Sequence, residues 1–84
     1  MNKNYILFIH SGCNFCKKAI AFLNEKEQNF KTLDLTSRPL VLKEIKKIYG
    51  WQTVPMVFEV TGEREYKLIG GYTDLMSRLE SEDL

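Results

Sequence analysis

Cys13-Asn14-Phe15-Cys16 places two thiols two residues apart, and no other side chains in this chain offer as much chemistry. A thiolate can serve as nucleophile, metal ligand or half of a disulfide, so spacing and surroundings decide its use. These are the only cysteines among the 84 residues. A bond closing so short a loop adds little stability, and a reducing compartment would not keep it for that purpose. Zinc would need two further ligands, yet His10 is the sole histidine, so a metal would have to be shared between chains. The plain alternative is two cysteines packing a helix. Against it, Ser11-Gly12 opens the backbone beside Cys13 and leaves that thiol accessible. The pair therefore reads as a redox centre.

The elements around the pair explain how it would work. Tyr5-Ile6-Leu7-Phe8-Ile9 is a continuous apolar run, expected as a strand buried on both faces. Ser11-Gly12 interrupts it, and from Cys13 the period becomes helical, with Cys16, Ala19, Ile20 and Leu23 on one stripe. Phe30 to Leu35 reads as a short strand. Thr36-Ser37-Arg38-Pro39 reads as a helix start, with Ser or Thr as cap and Pro in the first turn. Val41 or Leu42, Ile45, Ile48 and Tyr49 would form that helix's apolar face, and Gly50 its end. Met56–Val60 and Glu65–Ile69 suggest an antiparallel hairpin turning at Thr61-Gly62-Glu63, with one wetter face. Gly70-Gly71 breaks the second strand. Thr73-Asp74 would cap a last helix carrying Leu75, Met76 and Leu79, whose acidic end from Glu80 to Leu84 should fray. The order is β-α-β-α-β-β-α, an α/β domain in which helices flank a four-stranded mixed sheet. The first two strands are parallel and joined by a right-handed crossover.

In this order Cys13 falls where a strand ends and a helix begins. Unpaired N–H groups and the positive end of the helix dipole favour thiolate there, below the free-thiol value of about 8.5. Cys16, one turn on, lies on the same face and within reach of the first sulfur. Cys13 would attack a disulfide and Cys16 would resolve the mixed disulfide. Thr53-Val54-Pro55 is the second signal, since Pro is tolerated at a strand entry. A cis peptide before Pro55 would present the Val54 backbone to an extended thiol peptide, like an added strand.

Composition narrows the class. Hydrophobic residues make up 44% and charged residues 27%, as in an ordinary globular domain, and we expect one domain over residues 1–84. Lys plus Arg number 12 against 11 Asp plus Glu, which gives no basic face for nucleic acid. No apolar run is long enough for a bilayer, and the start shows no signal-peptide pattern. The expectation is a cytoplasmic monomer with neither membrane nor nucleic-acid partners.

Taken together, Ser11-Gly12-Cys13-Asn14-Phe15-Cys16, Thr53-Val54-Pro55 and Gly70-Gly71-Tyr72-Thr73-Asp74 resemble the glutaredoxins of the thioredoxin superfamily, in that order and at compatible spacing from Tyr5 to about Leu79. Thioredoxins share the fold and the proline but usually carry Trp-Cys-Gly-Pro-Cys and lack the Gly-Gly-Tyr-Thr-Asp segment. The resemblance implies a thioredoxin-like fold and a dithiol enzyme that reduces protein disulfides and glutathione mixed disulfides. On this resemblance no cofactor would be bound and glutathione would be the co-substrate. It implies Cys13 as the attacking and Cys16 as the resolving thiol. Val54, between Thr53 and Pro55, would pair with the cysteinyl part of glutathione, and Phe15 would form a groove wall. Thr73 and Asp74, with Gly71 and Tyr72 before them, would hold the γ-glutamyl end at a helix N-terminus.

The sequence departs from the family's common pattern in several places. Asn14 and Phe15 stand where the family usually carries Pro and Tyr, which should alter the redox poise. His10 stands where many relatives carry Arg or Lys for the glycyl carboxylate, and Arg38 or Lys43 are the other candidates for it. The resemblance also implies ribonucleotide reductase among the protein partners. Two alternatives stay open. One is a small thioredoxin-like protein reduced by a flavoprotein thioredoxin reductase. The other is a module in which Cys13 of two subunits and two glutathiones hold a [2Fe–2S] cluster, which would colour the purified protein brown.

Overall fold

The computed structural model describes residues 3–82. Its elements are β1 (Asn4–Ile9), α1 (Asn14–Glu25), β2 (Asn29–Asp34), α2 (Pro39–Tyr49), β3 (Met56–Gly62), β4 (Glu65–Gly70) and α3 (Tyr72–Glu82), in the order expected from the sequence. The sheet order is β2-β1-β3-β4, with β1 and β2 parallel and the other pairs antiparallel. A parallel pair needs a crossover, which α1 supplies. Because β1 is interior and hydrogen-bonded along both edges, its sequence is an unbroken apolar run.

Each sheet face has its own core. Tyr5, Leu7 and Val57 pack with Ala19 and Leu23 of α1 and with Leu75 and Leu79 of α3. On the opposite face Met56, Phe58 and Leu35 pack with Leu42 of α2, flanked by Ile45 and Trp51. The expected double burial of β1 is therefore graded. Tyr5 and Leu7 lie buried under two helices, whereas Ile6 and Phe8, on the side that α2 covers, are half-buried. No helix among the described residues is long and apolar enough to cross a membrane.

Four local expectations change. Helix α2 has Arg38 as its N-cap with no side-chain cap bond, and Pro39 opens its first turn. Neither Ser37 nor Thr36 occupies the cap position, and the Thr36 hydroxyl is committed to Asp34 and Ser11 instead. The apolar face of α2 is Leu42, Ile45 and Tyr49. Tyr49 packs edge-on against Phe58 with ring centroids 4.9 Å apart, while Ile48 is 72% exposed and Val41 is also exposed. Helix α3 begins at Tyr72, so Thr73 and Asp74 sit inside its first turn. From there the Asp74 carboxylate reaches back to accept from Gly71 N–H at 2.9 Å, the return half of a capping box. Its helical conformation runs to Glu82; residues 83–84, the rest of the acidic end, lie outside the described residues.

The fourth change is in the hairpin. Its turn falls at Glu63-Arg64, where Arg64 has φ 64°, so β3 extends to Gly62. The wetter face is not uniformly wet. Glu59 is only 6% exposed and its two oxygens meet Lys3 at 3.1 Å and Arg78 at 2.7 Å. This buried ion cluster ties the start of the chain and α3 to β3.

Candidate active site

The site is assembled at one end of the sheet from three chain segments. The first is the β1–α1 corner. Gly12 takes φ +76°, a left-handed conformation that glycine adopts without steric cost. This turn delivers Cys13 to the N-cap of α1 in an extended conformation, where its sulfur accepts from Cys16 N–H at 3.0 Å. Sulfur thus occupies the place of the oxygen acceptor usual at a helix N-cap. The same amide and the helix dipole stabilise a thiolate there. Cys13 and Cys16 are joined as a disulfide, with Cα atoms 5.2 Å apart. Their environments differ: Cys13 is half-buried at the rim, while Cys16 is 2% exposed and packed on the core side of α1.

The second segment is Trp51 to Pro55, between α2 and β3. The Val54–Pro55 peptide bond is cis, the arrangement whose consequence for Val54 was considered above. Val54 O lies 3.6 Å from Cys13 Sγ, within reach of a thiol proton on the reduced cysteine. The third segment, Gly70 to Asp74, joins β4 to α3. Gly70 has φ +131°, and a Cβ there would collide with the Asp74 carboxylate, so only glycine allows that close approach.

These segments enclose a groove of about 210 Å³. Phe15, Thr53, Val54, Pro55, Gly71, Tyr72, Thr73 and Asp74, all nominated from the sequence, line it together. Phe15 is 55% exposed, its ring 6.1 Å from Tyr72 and under the Lys18 ammonium at 5.3 Å, so it forms a wall rather than core. Trp51 also lines the groove and was not nominated. A lone tryptophan two residues ahead of Thr53 was the available signal.

His10 does not reach this groove. It lines a separate cavity of about 470 Å³ with Ser11, Leu35, Thr36, Leu42, Lys43 and Lys46 among others, and its Nδ1 lies 2.8 Å from Ser11 O. Lys43 shares that cavity, and Arg38 lines neither. Among the described residues no cluster of three or more His, Cys, Asp or Glu side chains is arranged to hold a metal ion.

Comparison with known proteins agrees with this geometry. The glutaredoxin family model matches residues 5–64. Glutaredoxin-1 of Gallus gallus is 38% identical over 74 residues, covering 82% of this chain, and the chain spans 66% of that relative's length. Among solved structures, the glutaredoxin of Brucella melitensis superposes with a TM-score of 0.67 at 26% identity, over 94% of this chain and 79% of that one. A buckwheat glutaredoxin–glutathione complex superposes with a TM-score of 0.79 at 20% identity, over 95% of this chain and 71% of that one, a likeness of fold. The family match spans well over half of the chain and includes the cysteine pair and Thr53-Val54-Pro55, and on that ground the chain belongs to the glutaredoxin family, whose members are thiol–disulfide oxidoreductases.

Proposed function

We propose that this protein is a dithiol oxidoreductase that reduces protein disulfides and glutathione mixed disulfides at the expense of glutathione. One observation carries the reading. Cys13 Sγ accepts from the Cys16 amide in the first turn of α1 and lies beside Val54 O, adjoining a groove whose far wall is the N-terminus of α3 with Asp74. A tripeptide thiol laid along that groove would bring its sulfur to Cys13. Its γ-glutamyl carboxylate would meet the positive end of α3, and its ammonium would meet Asp74. The buckwheat relative, solved with glutathione, supports the same choice of thiol.

In the reduced protein the Cys13 thiolate attacks one sulfur of a substrate disulfide. A new S–S bond forms, the old one breaks, and one substrate thiolate leaves. Cys16, deprotonated as it reacts, attacks Cys13 Sγ, releases the second substrate thiolate and closes the Cys13–Cys16 disulfide. The substrate gains two electrons and the protein loses two. One glutathione thiolate then opens the intramolecular disulfide at Cys13, and a second releases oxidised glutathione and restores the dithiol. For a glutathione mixed disulfide, Cys13 takes up the glutathionyl group and free glutathione removes it without Cys16.

Ribonucleotide reductase, as a disulfide-bearing substrate, and a cytoplasmic setting complete the proposal. The deciding experiment is turnover of a glutathione mixed disulfide, first with glutathione and glutathione reductase as electron source, then with thioredoxin reductase. Turnover only in the first arm supports this reading. Turnover only in the second replaces it with the thioredoxin-like alternative. Reduction of oxidised ribonucleotide reductase, followed in the same coupled assay, tests the named substrate.

A further inference from the structure

The Ser11–Gly12 turn that delivers Cys13 is held by groups that take no part in the reaction above. Ser11 N–H donates to Thr36 Oγ1 at 2.7 Å, across 25 residues of sequence. The Thr36 hydroxyl donates to Asp34 Oδ1 at 2.5 Å, and Thr36 N–H donates to the same oxygen at 2.9 Å. A hydroxyl has one proton and two acceptor sites, so with its proton given to Asp34, Thr36 presents lone pairs to Ser11. The chain of bonds therefore has one direction and ends on a carboxylate, which strengthens each link. The Asp34 carboxyl is held below its ordinary value, chiefly by the Thr36 hydroxyl, then by the Thr36 amide, with a smaller contribution from His10. On the other side of the turn His10 Nδ1 lies 2.8 Å from Ser11 O. A carbonyl only accepts, so Nδ1 carries the proton and donates.

Both backbone groups of Ser11 are thus gripped. Little else holds the turn: Ser11 and Gly12 are exposed, and nothing stands within 4 Å of a Cβ built on Gly12. A local turn at the end of β2 would account for the Asp34–Thr36 bonds alone. It would not account for the bond from Ser11, which joins that turn to the cysteine corner. We propose that Asp34, Thr36 and His10 are positioning residues that clamp the Ser11 peptide groups and so hold Cys13 Sγ on the Cys16 amide and beside Val54. This deepens the proposed redox reading of Cys13 and rests on it.

The test compares Thr36→Val, which keeps the shape and removes the hydroxyl, with Thr36→Ser, which keeps the hydroxyl. Asp34→Ala and His10→Phe complete the set. Two readouts are taken on the reduced full chain: the pH profile of Cys13 alkylation, and kcat and KM for glutathione in mixed-disulfide turnover. Thr36→Val is expected to slow alkylation below the free-thiol range and to move the profile to higher pH. It is expected to lower kcat about two- to tenfold, the effect of one lost hydrogen bond. KM for glutathione should hold, because Thr36 does not line the groove. Thr36→Ser should restore both readouts, and Asp34→Ala and His10→Phe should shift the profile in the same direction as Thr36→Val. A wild-type profile and kcat in Thr36→Val would overturn the clamp, as would a Thr36→Ser variant as impaired as Thr36→Val. The redox reading fails separately, through a folded wild-type protein that does not turn over, and the alkylation profile tests the clamp in either case.

Discussion

The two cysteines are identical chemically and unlike physically. Cys13 is half-buried at the end of a helix dipole and accepts an amide bond, while Cys16 is nearly inaccessible inside the first turn. Iodoacetamide applied to the reduced protein near pH 6 should therefore label Cys13 first; preferential labelling of Cys16 would reverse the roles. Cys13→Ser should abolish all exchange. Cys16→Ser should keep deglutathionylation, because glutathione resolves that intermediate, and should lose reduction of protein disulfides. Asp74 calls for a more careful variant. Its carboxylate accepts from Gly71 N–H, so removing it also loosens the start of α3. Asp74→Asn keeps an acceptor and removes the charge. Its KM for glutathione should rise about five- to thirtyfold, the loss of a charge-assisted contact worth about 1–2 kcal/mol, with Tm and Cys13 alkylation unchanged. An unchanged KM would remove Asp74 from the binding groove.

At the scale of elements, the junctions carry the function. The end of β2 is one such junction. Asp34 is exposed, and its carboxyl is held below the ordinary range by the Thr36 hydroxyl first and the Thr36 amide second. A carboxyl lowered in the folded state contributes stability above its unfolded value, and that contribution is lost as pH falls through the folded value. In an NMR titration Asp34 should stay charged to lower pH than an ordinary carboxyl, and Thr36→Val should return it towards the ordinary range. Titration of Asp34 at an ordinary value in the wild type would contradict the hydrogen-bond arrangement. The β4–α3 junction is the other. Gly70→Ala forces an alanine to φ +131° and its methyl into the Asp74 carboxylate. We expect a loss of about 1–3 kcal/mol in denaturant unfolding, with weaker glutathione binding as Asp74 is displaced. A wild-type midpoint and KM in Gly70→Ala would show that the junction yields without cost.

Over the whole molecule, the sheet is held between helices that contact it unequally, and β3 contributes to both cores. It pairs with β1 and β4, contributes Met56, Val57 and Phe58 to both cores, and carries Glu59 into an ion cluster with Lys3 and Arg78. Removing one partner of a buried charge cluster leaves the others poorly compensated. Both cations are about one third exposed, which moderates the penalty. Glu59→Gln should cost about 1–3 kcal/mol in global stability with kcat unchanged, because Glu59 does not line the groove. A variant as stable as the wild type would show the cluster to be neutral.

Much of this protein was legible in its sequence because the informative signals are local. The apolar run Tyr5–Ile9, the helical stripe from Cys16 to Leu23 and the Gly70-Gly71 break each report a period or a turn over a few residues, and the element order follows from them. The motif residues Phe15, Thr53-Val54-Pro55 and Gly71–Asp74 were nominated the same way, and the fold brings them to one groove. What stayed hidden depends on atoms far apart in the chain. Glu59 reads as a surface acid until Lys3 and Arg78 close over it. Thr36 reads as a helix cap until Ser11 N–H claims its oxygen. His10 reads as a groove residue until its ring turns to Ser11 O. A side chain's partner is fixed by which donor or acceptor lies within about 3 Å once the sheet and helices are packed, and no periodicity along the chain encodes that distance.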